Sequence, residues 1–141
     1  MSEESPSRIK LNDVMFAVLD HAVGSVVDSG GPLIPFSMVE DEHGKRSLSR
    51  FLADRLEEGQ AQAQKSIEDL KDRIVRYAFA WDGFVTIDGR RWDAILVEAG
   101  DKSGEPGVLL CQRYEKKGLF RKRVSAVGNP AMIEEPASRI G

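Results

Sequence analysis

The sequence predicts an α+β domain: an antiparallel sheet of about five strands covered by two helices in two layers, in the order α-β-β-α-β-β-β. Three observations carry this. Apolar residues recur at spacings of three and four over residues 11–26 and again over 52–74, the period of one helix face. From Val75 the period falls to two, with Val75, Tyr77, Phe79 and Trp81 alternating with Arg76, Ala78, Ala80 and Asp82, as in a half-buried strand. Finally, Asp88-Gly89 divides two β-rich runs. A two-residue type I′ turn needs positive φ at both central positions, and this pair tolerates it.

Residues 1–7 are rich in Ser, Glu and Pro and read as a disordered leader. Asn12 is suited to cap the first helix, with Leu11 and Phe16 as a hydrophobic staple. Leu11, Met15, Val18, Leu19, Ala22, Val23 and Val26 make its apolar face. Gly30 or Gly31 can close it in a left-handed conformation. Residues 33–39 then read as a strand whose Pro35 fits an edge, and 45–51 as a second short strand after the polar turn at 40–44. Asp54 with Glu57 resembles a capping box for the second helix. Gly59 within that helix suggests close approach to the sheet, since glycine costs about 1 kcal/mol there relative to alanine.

A meander of strands follows. Gly83 reads as a bulge or kink in the first of them. Trp92–Ala99 is the return strand of the Asp88-Gly89 hairpin, and Val108–Tyr114 and Leu119–Val127 continue the sheet until Gly128-Asn129-Pro130 ends it. The domain thus spans 8–130, and 131–141 is a C-terminal tail. Val18, Leu19, Val26, Leu56, Ile67, Leu70, Phe79, Ile95, Val97 and Leu110 are the expected core. The element order resembles that of small modules of the roadblock and profilin type, a likeness of topology with no motif behind it.

Composition excludes several classes. The 141 residues are one domain's worth at roughly 100–200 residues per domain. No apolar run approaches the ~18 residues of a membrane span. The acidic start lacks the basic and apolar regions of a secretory signal, so a cytoplasmic protein without membrane contact is expected. Cys111 is the single cysteine, which excludes an internal disulfide and a multi-thiolate metal centre.

Net charge is −3, unevenly distributed: residues 1–75 carry 9 Lys/Arg and 14 Asp/Glu, while residues 76–125 carry 10 and 7. The positive excess lies in Arg113, Lys116, Lys117, Arg121, Lys122 and Arg123. With Tyr114 and Phe120 interleaved, strand 113–123 has the residue types with which a nucleic-acid binder contacts phosphates and stacks on bases. Yet the alternation sends its charges to both faces, as in an edge strand defended by charge, so nucleic acid is not the favoured partner.

An enzyme would need converging groups. His21 lies on the first helix, one turn from Ser25 and two from Asp28, and reads as a solvated or half-buried helix histidine rather than a general base, while His43 sits among contiguous acids that do not easily converge on one ion. Asp93, Glu98 and Gln112 invite comparison with metal-dependent nucleases, but the required lysine is missing, and Asp93 and Glu98 fall on opposite faces of one strand. Gly100, Gly104 and Gly107 are not followed by Lys-Ser/Thr or a helix, as a phosphate loop requires. No cofactor or metal is expected.

What remains is a non-enzymatic protein-binding or scaffold module, with a nuclease-like or nucleic-acid-binding domain as the rival. Trp81 and Trp92 near the hairpin, with Arg113, Lys116, Lys117, Arg121 and Arg123, form the expected binding surface. The first helix is apolar beyond one face, so a homodimer through Phe16, Val27 and Phe36 is also expected.

Overall fold

The computed structural model describes residues 5–120 and 123–141. It is an α+β fold with a single six-stranded antiparallel sheet and two helices. The elements are α1 (Pro6–Ser29), β1 (Phe36–Glu40), β2 (Arg46–Arg50), α2 (Leu56–Asp69), β3 (Arg76–Ile87), β4 (Arg90–Asp101), β5 (Val108–Lys117) and β6 (Arg123–Glu134). The strands lie in the order β2-β1-β3-β4-β5-β6. The sheet therefore has six strands where about five were expected, because the meander after α2 contributes four, β3 to β6, where the expected order has three.

Alternation along β3 decides the layering, since successive side chains point to opposite faces. Ala78 and Ala80 join Phe36, Ile95, Val97, Val108, Leu110, Tyr114 and Val124 beneath α1, whose Leu11, Val14, Met15, Val18, Leu19, Ala22 and Val26 complete that core. Tyr77 and Phe79 face the other way, into a smaller core with Ala63 and Ile67 of α2, Ile74 and Ile140. The helices thus cover opposite faces, and the central strands are sandwiched rather than covered on one side only. The small alanines on the first face let α1 pack closely over β3 and β4.

Several sequence signals are realised. The hairpin turn is Asp88 at φ 51° and Gly89 at φ 76°, and Gly30 closes α1 at φ 82° with its N–H on the Val26 carbonyl. Of the expected core, Leu56 is exposed and Leu70 half-buried, and the other eight are buried. Gly59 does mark a close approach, for a Cβ there would stand 2.7 Å from the Phe51 carbonyl oxygen.

Other expectations are corrected. The leader is not wholly outside the fold: Ser5 caps α1, its Oγ accepting from Arg8 N at 3.2 Å, and Pro6 is the first helical residue. Asn12 lies within the helix. The α2 cap is Arg55, without a side-chain cap bond, rather than Asp54. Pro35 is not on an edge, because β1 lies between β2 and β3; the proline precedes the strand, and its carbonyl accepts from Phe51 N. No bulge occurs at Gly83, which pairs in register with Ala94. Its missing side chain makes room for Leu96, whose Cδ1 would stand 2.9 Å from a Cβ.

The largest correction is at the end of the chain. β6 runs through Gly128-Asn129-Pro130 to Glu134, so 131–134 belong to the sheet. The strand survives a register shift between Cys111 and Arg113 because the buried Gln112 amide donates to the carbonyls of Arg113, Val127 and Gly128 at 3.0–3.2 Å. These bonds replace ladder contacts that the bulge removes.

Candidate functional site

Ladder register fixes which side chains share the face opposite α1. Trp81 is opposite Leu96, and Leu96 is opposite Cys111. Ala94 is opposite Arg113, Arg113 opposite Val127, and Lys117 opposite Arg123. Trp92, two residues before Ala94, lies on the same face. α2 packs against β1 and β3, leaving the face over β4, β5 and β6 open beyond it. Its larger side chains, Trp92, Leu96, Leu109, Arg113 and Val127, are half-buried, as is Trp81 of β3, which borders it from the edge of the α2 core. Cys111 and Ala94 are buried beneath them because they are short, and burial pushes the Cys111 thiol pKa up. The thiol is correspondingly inert.

The aromatic rings of this face already have partners. Trp81 stacks on Phe79 with centroids 5.0 Å apart and planes at 24°. Arg90 places its guanidinium 3.7 Å from the Trp92 ring centroid, and Arg113 lies 4.9 Å from it. These cation–π contacts gather the two arginines and the indole into one cluster. Gly128 belongs to the same cluster, since a Cβ there would stand 2.8 Å from an Arg113 nitrogen. Lys117 pairs with Glu115 at 3.1 Å. Arg90, Arg113 and Arg123 make no ion pair among the described residues.

Of the expected binding residues, Trp81, Trp92, Arg113, Lys117 and Arg123 thus share one face. Lys116 does not: it pairs with Val124 on the α1 face, and its ammonium lies beside Gly31. Arg121 falls outside the described residues. Arg90, Leu96 and Leu109 were not expected in the site; alternation counted forward from Asp88-Gly89 could have found Arg90 and Leu96, whereas Leu109 is placed by the pairing of β5 with β4, opposite Glu98.

The expected dimer residues separate as well. Phe16 and Val27 are 43% and 47% exposed on α1. Phe36 is not available to a partner, being 2% exposed beneath the helix, where His21 meets its ring edge-on at 4.9 Å. Phe16 borders a groove of about 540 Å³ with Met15, Val108, Leu110 and Met132.

The nuclease-like set Asp93, Glu98 and Gln112 does not converge. Asp93 lies on the α1 face, opposite Tyr114. Glu98 lies on the other, where Tyr77 and Arg139 occupy its oxygens, and Gln112 is committed to the backbone. Among the described residues, no group of three or more His, Cys, Asp or Glu side chains could hold a metal ion. Nor is any helix there long and apolar enough to cross a membrane.

Comparison with protein-family models, curated proteins and solved structures finds no match to this chain. The topological likeness to roadblock and profilin modules therefore carries no further argument.

Proposed function

We propose that the protein is a non-enzymatic protein-binding module that docks an acidic, apolar-centred surface of a partner on the open face of β4, β5 and β6. One observation carries this reading: half-buried Trp81, Leu96, Leu109 and Val127 adjoin Arg113 and, at the hairpin end of the face, Arg90 and Arg123, three guanidinium groups without an ion pair among the described residues. Such a face combines an apolar centre with a charged rim, the anatomy of a protein interface. Tryptophan and arginine are also the side chains that carry most binding energy when a partner desolvates them.

The same geometry disfavours single-stranded nucleic acid. A base-stacking platform offers open ring faces to successive bases, whereas Trp92 is engaged by Arg90 and Arg113 and Trp81 by Phe79. The rim cations therefore serve better to steer and orient an acidic protein surface, which accelerates its encounter at low salt.

Selection of displayed peptides on the whole chain tests this reading. Peptides with Asp or Glu flanking apolar residues are expected to be enriched, and Arg113→Glu should weaken their binding at least ~10-fold, the order of one charge pair lost at an interface rim and centre. Enrichment of peptides without acidic residues would contradict it, as would salt-sensitive binding of single-stranded oligonucleotides tighter than that of any selected peptide.

A further inference from the structure

The segment Pro136–Gly141 lies across the smaller core like a bound peptide. Pro136 accepts from Gly107 N at 2.6 Å, and Ser138 Oγ donates to the Asp101 carbonyl at 2.6 Å. Arg139 donates to both oxygens of Glu98, at 2.7 and 3.1 Å, and to Glu68 at 3.1 Å. Its backbone N–H donates to Tyr77 Oη at 3.1 Å, and that hydroxyl donates to Glu98 at 3.0 Å. Ile140 is 9% exposed and belongs to the core made by Ala63, Ile67, Ile74 and Tyr77.

The receiving side is drawn from helix and strands. Glu98 is 6% exposed and comes from the middle of the sheet, Tyr77 is fully buried, and α2 supplies Glu68 together with the apolar wall. A forked guanidinium matches a carboxylate with two parallel bonds, which an ammonium cannot do. The Phe79 ring, 5.5 Å from the Arg139 guanidinium, lies beneath it. The floor thus holds two successive residues, an arginine and then an aliphatic side chain. The occupant, by contrast, has no helix or strand of its own: residues 135–141 are irregular and held mainly by side-chain contacts. Segments with few backbone bonds open first and at the least free-energy cost.

We infer that the cleft between α2 and β4 is a peptide-binding site specific for an arginine followed by an aliphatic residue, and that Pro136–Gly141 is its displaceable occupant in cis. A linear peptide of that pattern from another chain binds when the segment lifts. The cleft adjoins the open face, Glu98 being opposite Leu109, but its argument stands on Glu98, Glu68 and Arg139 and does not rest on the reading of Trp92 and Arg113.

The test uses a fluorescent hexapeptide of sequence Pro-Ala-Ser-Arg-Ile-Gly and the full chain, with fold checked by circular dichroism. The double variant Arg139→Ala, Ile140→Ser empties both anchors and is expected to bind the probe at least ~10-fold more tightly than the wild type, whose own segment competes as a ligand at high effective concentration. Adding Glu98→Gln to that variant, or replacing the probe's arginine by lysine, should abolish the gain. The proposal is overturned if the folded double variant binds no better than wild type, or if binding survives Glu98→Gln. Should the double variant not fold, Ile140→Ser alone is measured in the same way; failure of both to fold would make the segment an inseparable part of the core and overturn the proposal as well.

Discussion

Phe36→Ala is expected to lower the unfolding free energy by about 3–5 kcal/mol, the usual cost of deleting a large aromatic side chain from a packed core. The ring is 2% exposed on an internal strand, beneath α1, and touches the His21 ring. The helix cannot follow the lost volume, because Val14, Val18 and Ala22 on the same helix are already in full contact with the sheet. Urea denaturation measures the loss, and sedimentation equilibrium should find the same molar mass as for wild type. A variant of near-native stability with a changed mass would instead place Phe36 in an interface.

A second large effect is alkaline. Both tyrosines of the chain have raised pKa values. In Tyr77 the cause is first burial and then the Glu98 carboxylate. In Tyr114 it is burial and then the hydrogen bond, 2.6 Å long, to Asp82. Each phenol ordinarily titrates near 10. Above that pH the unfolded chain has released both protons while the folded chain keeps them, so the unfolded state binds fewer protons and stability falls as pH rises. The slope is ~1.4 kcal/mol per pH unit for each tyrosine, about 2.7 for the pair. Below the ordinary tyrosine range the two contribute no pH dependence. Urea titrations between about pH 9 and 11.5 should show this decline, with phenolate absorbance rising only as the chain unfolds. Tyr114→Phe should remove about half of the slope. Phenolate appearing near pH 10 in the folded protein would contradict the burial of these hydroxyls.

Local signals in the sequence were legible where one residue type has one physical use. Asp88-Gly89 gave the hairpin, Gly30 the helix end, and the alternation from Tyr77 to Trp81 the two faces of β3. The Ser5-Pro6 start of α1 was equally readable, since Ser is a good cap and Pro is favoured at the first helical position, but the polar leader masked it. β6 could not be followed past Gly128 because its continuity depends on Gln112, sixteen residues earlier, whose amide bridges the bulge. Which face α2 covers was likewise hidden, as period-two alternation separates the faces without naming their occupants.

The proposed binding surface follows the same division. Register along the hairpin gathers Trp81, Trp92 and Arg113, which the sequence had singled out by type, and sends Lys116 to the opposite side. The clasp of Arg139 on Glu98 joins residues 41 apart. No local pattern marks it, for its partner carboxylate sits in an ordinary strand and its arginine in an irregular segment.

The most direct measurement of the docking face uses the two tryptophans, whose indole N–H groups give two separate nuclear magnetic resonance signals. Titration of the ¹⁵N-labelled chain with a selected acidic, apolar-centred peptide should shift both indole signals together with the amides of Leu96, Leu109 and Val127, leaving Phe16 and Val27 on α1 unmoved. Shifts confined to α1, with both indoles unchanged at saturating peptide, would contradict the assignment of the open face as the partner surface.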